Sequence, residues 1–165
     1  FYNAIHADDI RKNQFAGPAA TYRLQPINKF FDPARTAGGQ RQVITDLLYM
    51  RSDEFYLLNA EAKARLGQDA NAKTALKTYL GDRITDLSYV DALTGQALID
   101  EIYFQQRVEL WGEGKSYLAM KRLKENVVRG SNHLFYAGQS FQWSDDKLTF
   151  VIPQAEVLNN PNLNK

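Results

Sequence analysis

Glu109 and Glu113 stand four residues apart in the stretch RVELWGEGKSY, Arg107 to Tyr117. On an unbroken helix that spacing puts both carboxylates on one face, and carboxylates about 5 to 9 Å apart are the working pair of glycoside hydrolysis. Gly112 and Gly114 oppose this arrangement. Each costs about 1 kcal/mol in a helix interior, so together they predict a turn, with Glu109 ending one helix and Glu113 just preceding the next. A carboxylate there accepts hydrogen bonds from free N–H groups and meets the positive helix end, with Arg107 or Arg122 as charged partners. The two readings part on Glu113→Gln, which abolishes turnover in the catalytic case and lowers stability by about 1 kcal/mol or more in the structural one.

Other routes to chemistry are thin. Gly112-x-Gly114 lacks a third glycine and follows a helix instead of a strand, so it does not form a dinucleotide loop. His6 and His133 sit singly in polar stretches and read as surface residues, not metal ligands. Asp8-Asp9 and Asp145-Asp146 belong to no graded calcium loop and read as solvated turns. There is no cysteine, no G-x-S-x-G elbow, no P-loop and no H-E-x-x-H. No cofactor or metal is expected.

Aromatic residues offer a binding chemistry, because a sugar presents C–H faces that stack on rings while amides and carboxylates take its hydroxyls. Phe55, Tyr56, Tyr103 and Phe104 fall on helical stretches and read as packing. Tyr22, Phe135, Tyr136, Phe141 and Trp143 fall outside them, and Trp143 has Gln142, Asp145 and Asp146 beside it. These loop aromatics, with Asp145, are the candidate ligand contacts.

The elements that must position these residues follow from composition and periodicity. The chain has 165 residues, 44% of them hydrophobic and 12% aromatic, enough to build one core. Twenty Lys and Arg against nineteen Asp and Glu leave a net charge of +1, without the asymmetry that draws proteins to nucleic acid or anionic membranes. No apolar run approaches the roughly 20 residues of a membrane span. Residues 1–44 carry Gly, Pro and charge without a period; they are expected to be mostly irregular, with a short strand at TYRLQ, and to pack against something outside the chain.

Residues 45–125 are expected to form two helical hairpins. Phe55, Leu58, Ala62 and Leu66 recur at spacings of three and four, predicting a helix that buries this stripe and closes at Gly67. Asp69 is the candidate N-cap of a shorter helix that turns Ala75, Leu76 and Leu80 toward the first. Thr94 is the candidate cap of TGQALIDEIYFQQRVELW, with Ile99, Ile102, Tyr103 and Leu110 on its apolar face, and KSYLAMKRLKE is its short partner. This long-then-short alternation is similar to tetratricopeptide units, at a looser period than about 34 residues. Residues 126–165 are expected to be loops with a closing strand at KLTFVIP, where Leu148, Phe150 and Ile152 alternate until Pro153 stops it.

Three motifs in order make the chain resemble the C-terminal part of the SusD/RagB family, outer-membrane nutrient-binding lipoproteins of Bacteroidetes. LLYMRSDEFYLLNAEAKARLG resembles the family's Arg-x-x-Glu-x-x-Leu-x-x-Ala-Glu-Ala helix through Arg51, Glu54, Leu57, Ala60, Glu61 and Ala62. QQRVELWGEGKSYLAMKR resembles its Arg-x-Glu-Leu/Phe-x-Gly-Glu-Gly segment through Arg107, Glu109, Leu110, Gly112, Glu113 and Gly114. FVIPQAEVLNNPNLNK resembles the closing Ile-Pro-x-x-Glu and Asn-Pro-Asn signature through Ile152, Pro153, Glu156, Asn160, Pro161 and Asn162. DDIRKNQF and NKFFD resemble upstream family segments.

The resemblance implies a mainly α fold of tetratricopeptide-like hairpins with long irregular loops and a short β-strand near the C-terminus. It implies a non-catalytic role: holding an oligosaccharide or polysaccharide, or in some members a peptide, on the extracellular face of the outer membrane. The ligand is then delivered to a SusC-like TonB-dependent transporter. Family members are longer and anchored through a lipidated N-terminal cysteine, so the N-terminal half and the anchor, the only membrane attachment implied, are expected to be absent from this segment. Lys115 stands where many members carry Arg, which keeps the charge and loses the fork of donors. A tetratricopeptide-type scaffold that binds protein on its helices is the competing reading.

Overall fold

The computed structural model describes residues 1–19, 29, 48–131 and 133–163. The expected strand at TYRLQ, the candidate contact Tyr22 and most of NKFFD lie outside them. The chain divides into two compact units, residues 1–115 and 116–165.

In the first unit, α1 (Ser52–Arg65) and α2 (Asp69–Leu80) form a hairpin against which α3 (Gly95–Glu109) packs. Asp53 and Glu54 in the first turn of α1 and Lys63 and Arg65 in its last match the helix dipole. Gly67, at φ +72°, closes it: its amide donates to the Ala64 carbonyl and the Gln68 amide to that of Lys63, the paired bonds of a left-handed helix stop. Leu57, Ala60 and Ala64 of α1, Ala72, Leu76, Tyr79 and Leu80 of α2, Ile84, Val90, and Leu98 and Ile102 of α3 make one core. Each leucine buried here contributes about 2 kcal/mol.

The stripe expected to be buried on α1 is the wrong one. Phe55, Leu58 and Leu66 are exposed by 56%, 37% and 73%, and Ala62 and Tyr56 are exposed as well. Two apolar stripes run along this helix, and periodicity alone cannot choose between them. Contact with α2 and α3 selects the stripe with two alanines, whose small side chains let the helices approach closely.

Cap assignments also shift. Asp69 is the first residue of α2, and its Oδ2 instead accepts from the Gly95 amide at 2.8 Å, capping α3 across the bundle. Thr94 holds the N-cap position of α3 without a side-chain bond.

The N-terminal stretch packs on this chain's own helices. Ile5 and Phe15 bury against Val108 with Tyr2, Phe104 and Trp111 around them, and the Phe15 and Trp111 rings meet edge-on at 5.1 Å. Two 3-10 turns, Tyr2–Ala4 and Ile10–Gln14, shape the stretch. Asp9 caps the second and is buried against Arg11 at 2.7 Å, so it is not the solvated turn residue expected. His6 hydrogen-bonds Asp8 and stacks on Tyr89 at 5.6 Å.

The second unit contains all of α4 (Lys115–Leu123) but its first residue, a two-stranded antiparallel ladder of β1 (Val127–Val128) and β2 (Ser140–Phe141), and α5 (Gln154–Asn159). The strand expected at residues 147–153 is absent. Asp146–Leu148 is a 3-10 turn, Phe150 is 88% exposed, and the Leu148 carbonyl accepts from the Tyr117 hydroxyl at 2.7 Å. Among the described residues the alternating run finds no partner strand to pair with, and Pro153 serves as the N-cap of α5. The ladder forms instead at Val127–Val128, within a stretch read as loop.

Candidate functional site

The carboxylates of Glu109 and Glu113 end in an ionic cluster built from five separate parts of the first unit. Gly112 at φ +79° and Gly114 at φ +75° make the corner after α3 and bring Glu113 back beside Glu109. Arg51, extended at the N-cap of α1, reaches both. Its Nε and Nη2 fork onto Glu113 at 3.2 and 2.7 Å, and its Nη1 meets Glu109 Oε1 at 2.9 Å. Lys29 Nζ lies 2.7 Å from Glu113 Oε1, whose side chain is only 1% exposed. Arg83 Nε and Arg11 Nη1 approach Glu109 Oε2 at 3.2 and 3.4 Å. Arg83 also binds Asp53 at 2.6 Å and stacks 4.0 Å over the Tyr79 ring. Behind them, Gln105 hydrogen-bonds Arg11 and, at 2.7 Å, Glu101.

Burial alone would raise the Glu109 carboxyl, but hydrogen bonds from Arg51 and Tyr79 and the charges of Arg83 and Arg11 outweigh it and pull it down to about 2. Glu113 is lowered in the same way, burial being overcome by Arg51 and Lys29. Burial lowers Lys29 despite Glu113, and the Tyr79 hydroxyl is raised by burial and by Glu109. A general acid needs the opposite environment, one that keeps the carboxyl protonated near neutral pH. The corner is therefore a junction of helix ends, as its glycines predict. Its cations are not those expected, however. Arg107 lies over the rings of Phe1 and Tyr103 at 5.4 and 6.0 Å, and Arg122 belongs to α4; neither supplies the bonds just described. Arg11, Lys29, Asp53, Tyr79 and Arg83 had no local spacing to give them away, since they reach the cluster only through the tertiary fold.

The other motif positions are also structural. Glu54 pairs with Lys115 at 2.8 Å, so lysine serves without the arginine fork. Glu61, buried, accepts from Gln106 at 2.8 Å and Arg65 at 2.7 Å. Among the described residues no group of three His, Asp or Glu is placed to hold a metal, and no helix is long and apolar enough to cross a membrane.

Of the candidate ligand contacts, Phe135, Tyr136, Trp143 and Asp145 lie in the second unit. The hairpin between β1 and β2 carries Leu134, Phe135 and Tyr136 at its tip, exposed by 94%, 72% and 52%. Tyr136, at φ +53°, sets its ring edge-on to buried Phe141 at 5.4 Å, and Arg129 Nε holds the Phe135 carbonyl at 2.8 Å. Trp143 is half-buried beneath Lys124, whose ammonium lies 5.5 Å from its ring, and its carbonyl accepts from Lys121 at 2.6 Å. Asp145 spends its carboxylate on the Lys147 amide at 2.9 Å. Phe135 and Tyr136 therefore present faces to solvent, while Trp143 and Asp145 are partly committed to the fold.

The SusD family profile matches residues 11–165. A SusD superfamily protein from Bacteroides fragilis is 30% identical and superposes with a TM-score of 0.74, the match covering 99% of this chain and 35% of that one. A SusD-like carbohydrate binding protein from Bacteroides vulgatus is 23% identical with a TM-score of 0.64, covering 98% of this chain and 40% of that one. The chain thus spans well under half the length of either structure. Comparison with curated proteins gives no significant match.

Proposed function

Because the chain belongs to the SusD family, we propose that it is part of a protein that holds a glycan at the extracellular face of the outer membrane without cleaving it, and passes it to a SusC-like TonB-dependent transporter. The observation that carries the non-catalytic half is the fork of Arg51 across Glu109 and Glu113. It ties up the one pair of carboxylates whose spacing suggested hydrolysis. For the binding half, the exposed rings of Phe135 and Tyr136 offer apolar faces for sugar C–H groups. The carbohydrate named for the Bacteroides vulgatus relative is the same ligand class.

The test is native mass spectrometry of the protein, joined to the remainder of its polypeptide, with a panel of oligosaccharides and peptides. Intact sugar adducts of unchanged ligand mass are expected. Shortened oligosaccharides would overturn the non-catalytic reading, and peptide adducts alone would move the protein to the peptide-binding branch of the family.

A further inference from the structure

A cleft lies on the first unit, where the end of α2 meets the start of α1. It encloses about 270 Å³ and is lined by Asp53, Tyr56, Thr78, Tyr79, Asp82 and Arg83. That is near the lower limit of small-ligand pockets, room for one ring-sized group.

Its floor is already satisfied. The Tyr79 hydroxyl donates to Asp53 Oδ1 at 3.1 Å, Arg83 Nη2 to the same oxygen at 2.6 Å, and Arg51 Nη1 to Oδ2 at 2.9 Å. Arg83 also occupies one face of the Tyr79 ring. The rim differs. Tyr56 is 60% exposed, its ring 6.4 Å from that of Tyr79 and tilted by 30°. Thr78 and Asp82 are exposed, and among the described residues neither side chain has a hydrogen-bond partner. One open ring, one open carboxylate and one open hydroxyl thus surround a floor whose charges are neutralised.

A cation would favour a cage of several ring faces, and here an intramolecular guanidinium has taken one of them. A charged ligand also gains little from Asp53 or Arg83, each already paired. A neutral polyol fits all three open groups: its C–H face covers Tyr56, and its hydroxyls donate to the Asp82 carboxylate and exchange hydrogen bonds with Thr78.

We propose that this cleft is a second saccharide subsite, taking a single pyranose unit of a neutral glycan against Tyr56, Thr78 and Asp82. It rests on the glycan-binding reading above and adds a contact on a different unit from the 134–145 aromatics.

The experiment is an NMR titration of the whole chain with neutral hexasaccharides of glucose, mannose and xylose, and with trilysine. The Tyr56 ring and Asp82 amide are followed separately from the Trp143 indole and the Tyr136 ring. A hexasaccharide is expected to shift the Tyr56 and Asp82 signals. Tyr56→Ala and Asp82→Ala, both at exposed positions, should each weaken binding at that site about tenfold while the thermal midpoint stays within a few degrees. Sugar-induced shifts confined to Trp143 and Tyr136 would overturn the subsite and leave the glycan reading standing. If no sugar shifts any signal, both fall. Shifts at Tyr56 with trilysine alone would make the cleft a cation site and overturn the proposal.

Discussion

Arg51 meets Glu109 twice, through Nη1 to the carboxylate at 2.9 Å and through Nη2 to the backbone carbonyl at 3.0 Å. One guanidinium thereby fastens the start of α1 to the end of α3. Its removal leaves Glu113, almost wholly enclosed, with Lys29 as its remaining ion-pair partner among those described. Arg51→Ala is expected to cost about 3 kcal/mol in a urea melt, the scale of a buried ion pair broken from one side. Arg51→Lys should recover only part of this, because an ammonium cannot span two carboxylates as a planar fork does.

Acid should weaken the same junction. The Glu109 carboxyl lies at about 2 in the folded chain against an ordinary 4.5. A depressed folded value means stability that is fully present above the unfolded pKa and is lost as pH falls through the folded one. Unfolding free energy should therefore decline by about 2 kcal/mol between pH 5 and pH 2 on account of this group, allowing for its partial solvent contact. Glu109→Gln should flatten that slope and lower stability at neutral pH; an unchanged slope in urea melts across this range would contradict the assignment.

Gly114 provides a cleaner test of the corner. Its φ of +75° disfavours any side chain, yet nothing lies within 4 Å of where a Cβ would stand. Gly114→Ala should thus cost about 1 kcal/mol through backbone strain alone, with no steric clash, as measured by chemical denaturation.

The hairpin aromatics should separate binding from stability. Phe135 and Tyr136 are exposed by 72% and 52%, so their replacement by alanine is expected to shift stability by less than about 0.5 kcal/mol. Binding of an oligosaccharide that the unaltered protein retains should weaken about tenfold, read by affinity electrophoresis on immobilised glycan. A double variant that binds as before would move the contact elsewhere.

How much of this was legible in the sequence varies with the range of the interaction. The corner at Gly112 and Gly114 was readable because two helix-breaking residues act locally, and so was the helical stop at Gly67. The family was readable from motifs whose order survives without any coordinates. The buried stripe of α1 was not: Phe55, Leu58 and Leu66 repeat as regularly as Leu57, Ala60 and Ala64, and only the neighbouring helices distinguish them. Nor were the glutamates' partners, because Arg107 and Arg122 are near in sequence whereas Arg83 and Arg11 are near in space. The strand expected at Leu148 to Ile152 failed similarly, since alternation describes one edge and says nothing of a partner. For the candidate ligand contacts, sequence gave residue types and the structure their exposure, which favours Phe135 and Tyr136 over Trp143 and Asp145.

The ionic cluster also bears on the order of folding events. Arg11 and Glu109 are 98 positions apart, Arg51 and Glu113 62, and Arg51 and Glu109 58. The α1–α2 hairpin, by contrast, closes across a turn of only a few residues, so its contacts cost little chain entropy and can form early. Guanidinium and carboxylate are then expected to join last, once the helices are docked, and to act as a latch against opening. Substitutions at Arg51 should accordingly speed unfolding and leave the refolding limb almost unchanged, whereas Leu57→Ala and Leu76→Ala should slow refolding.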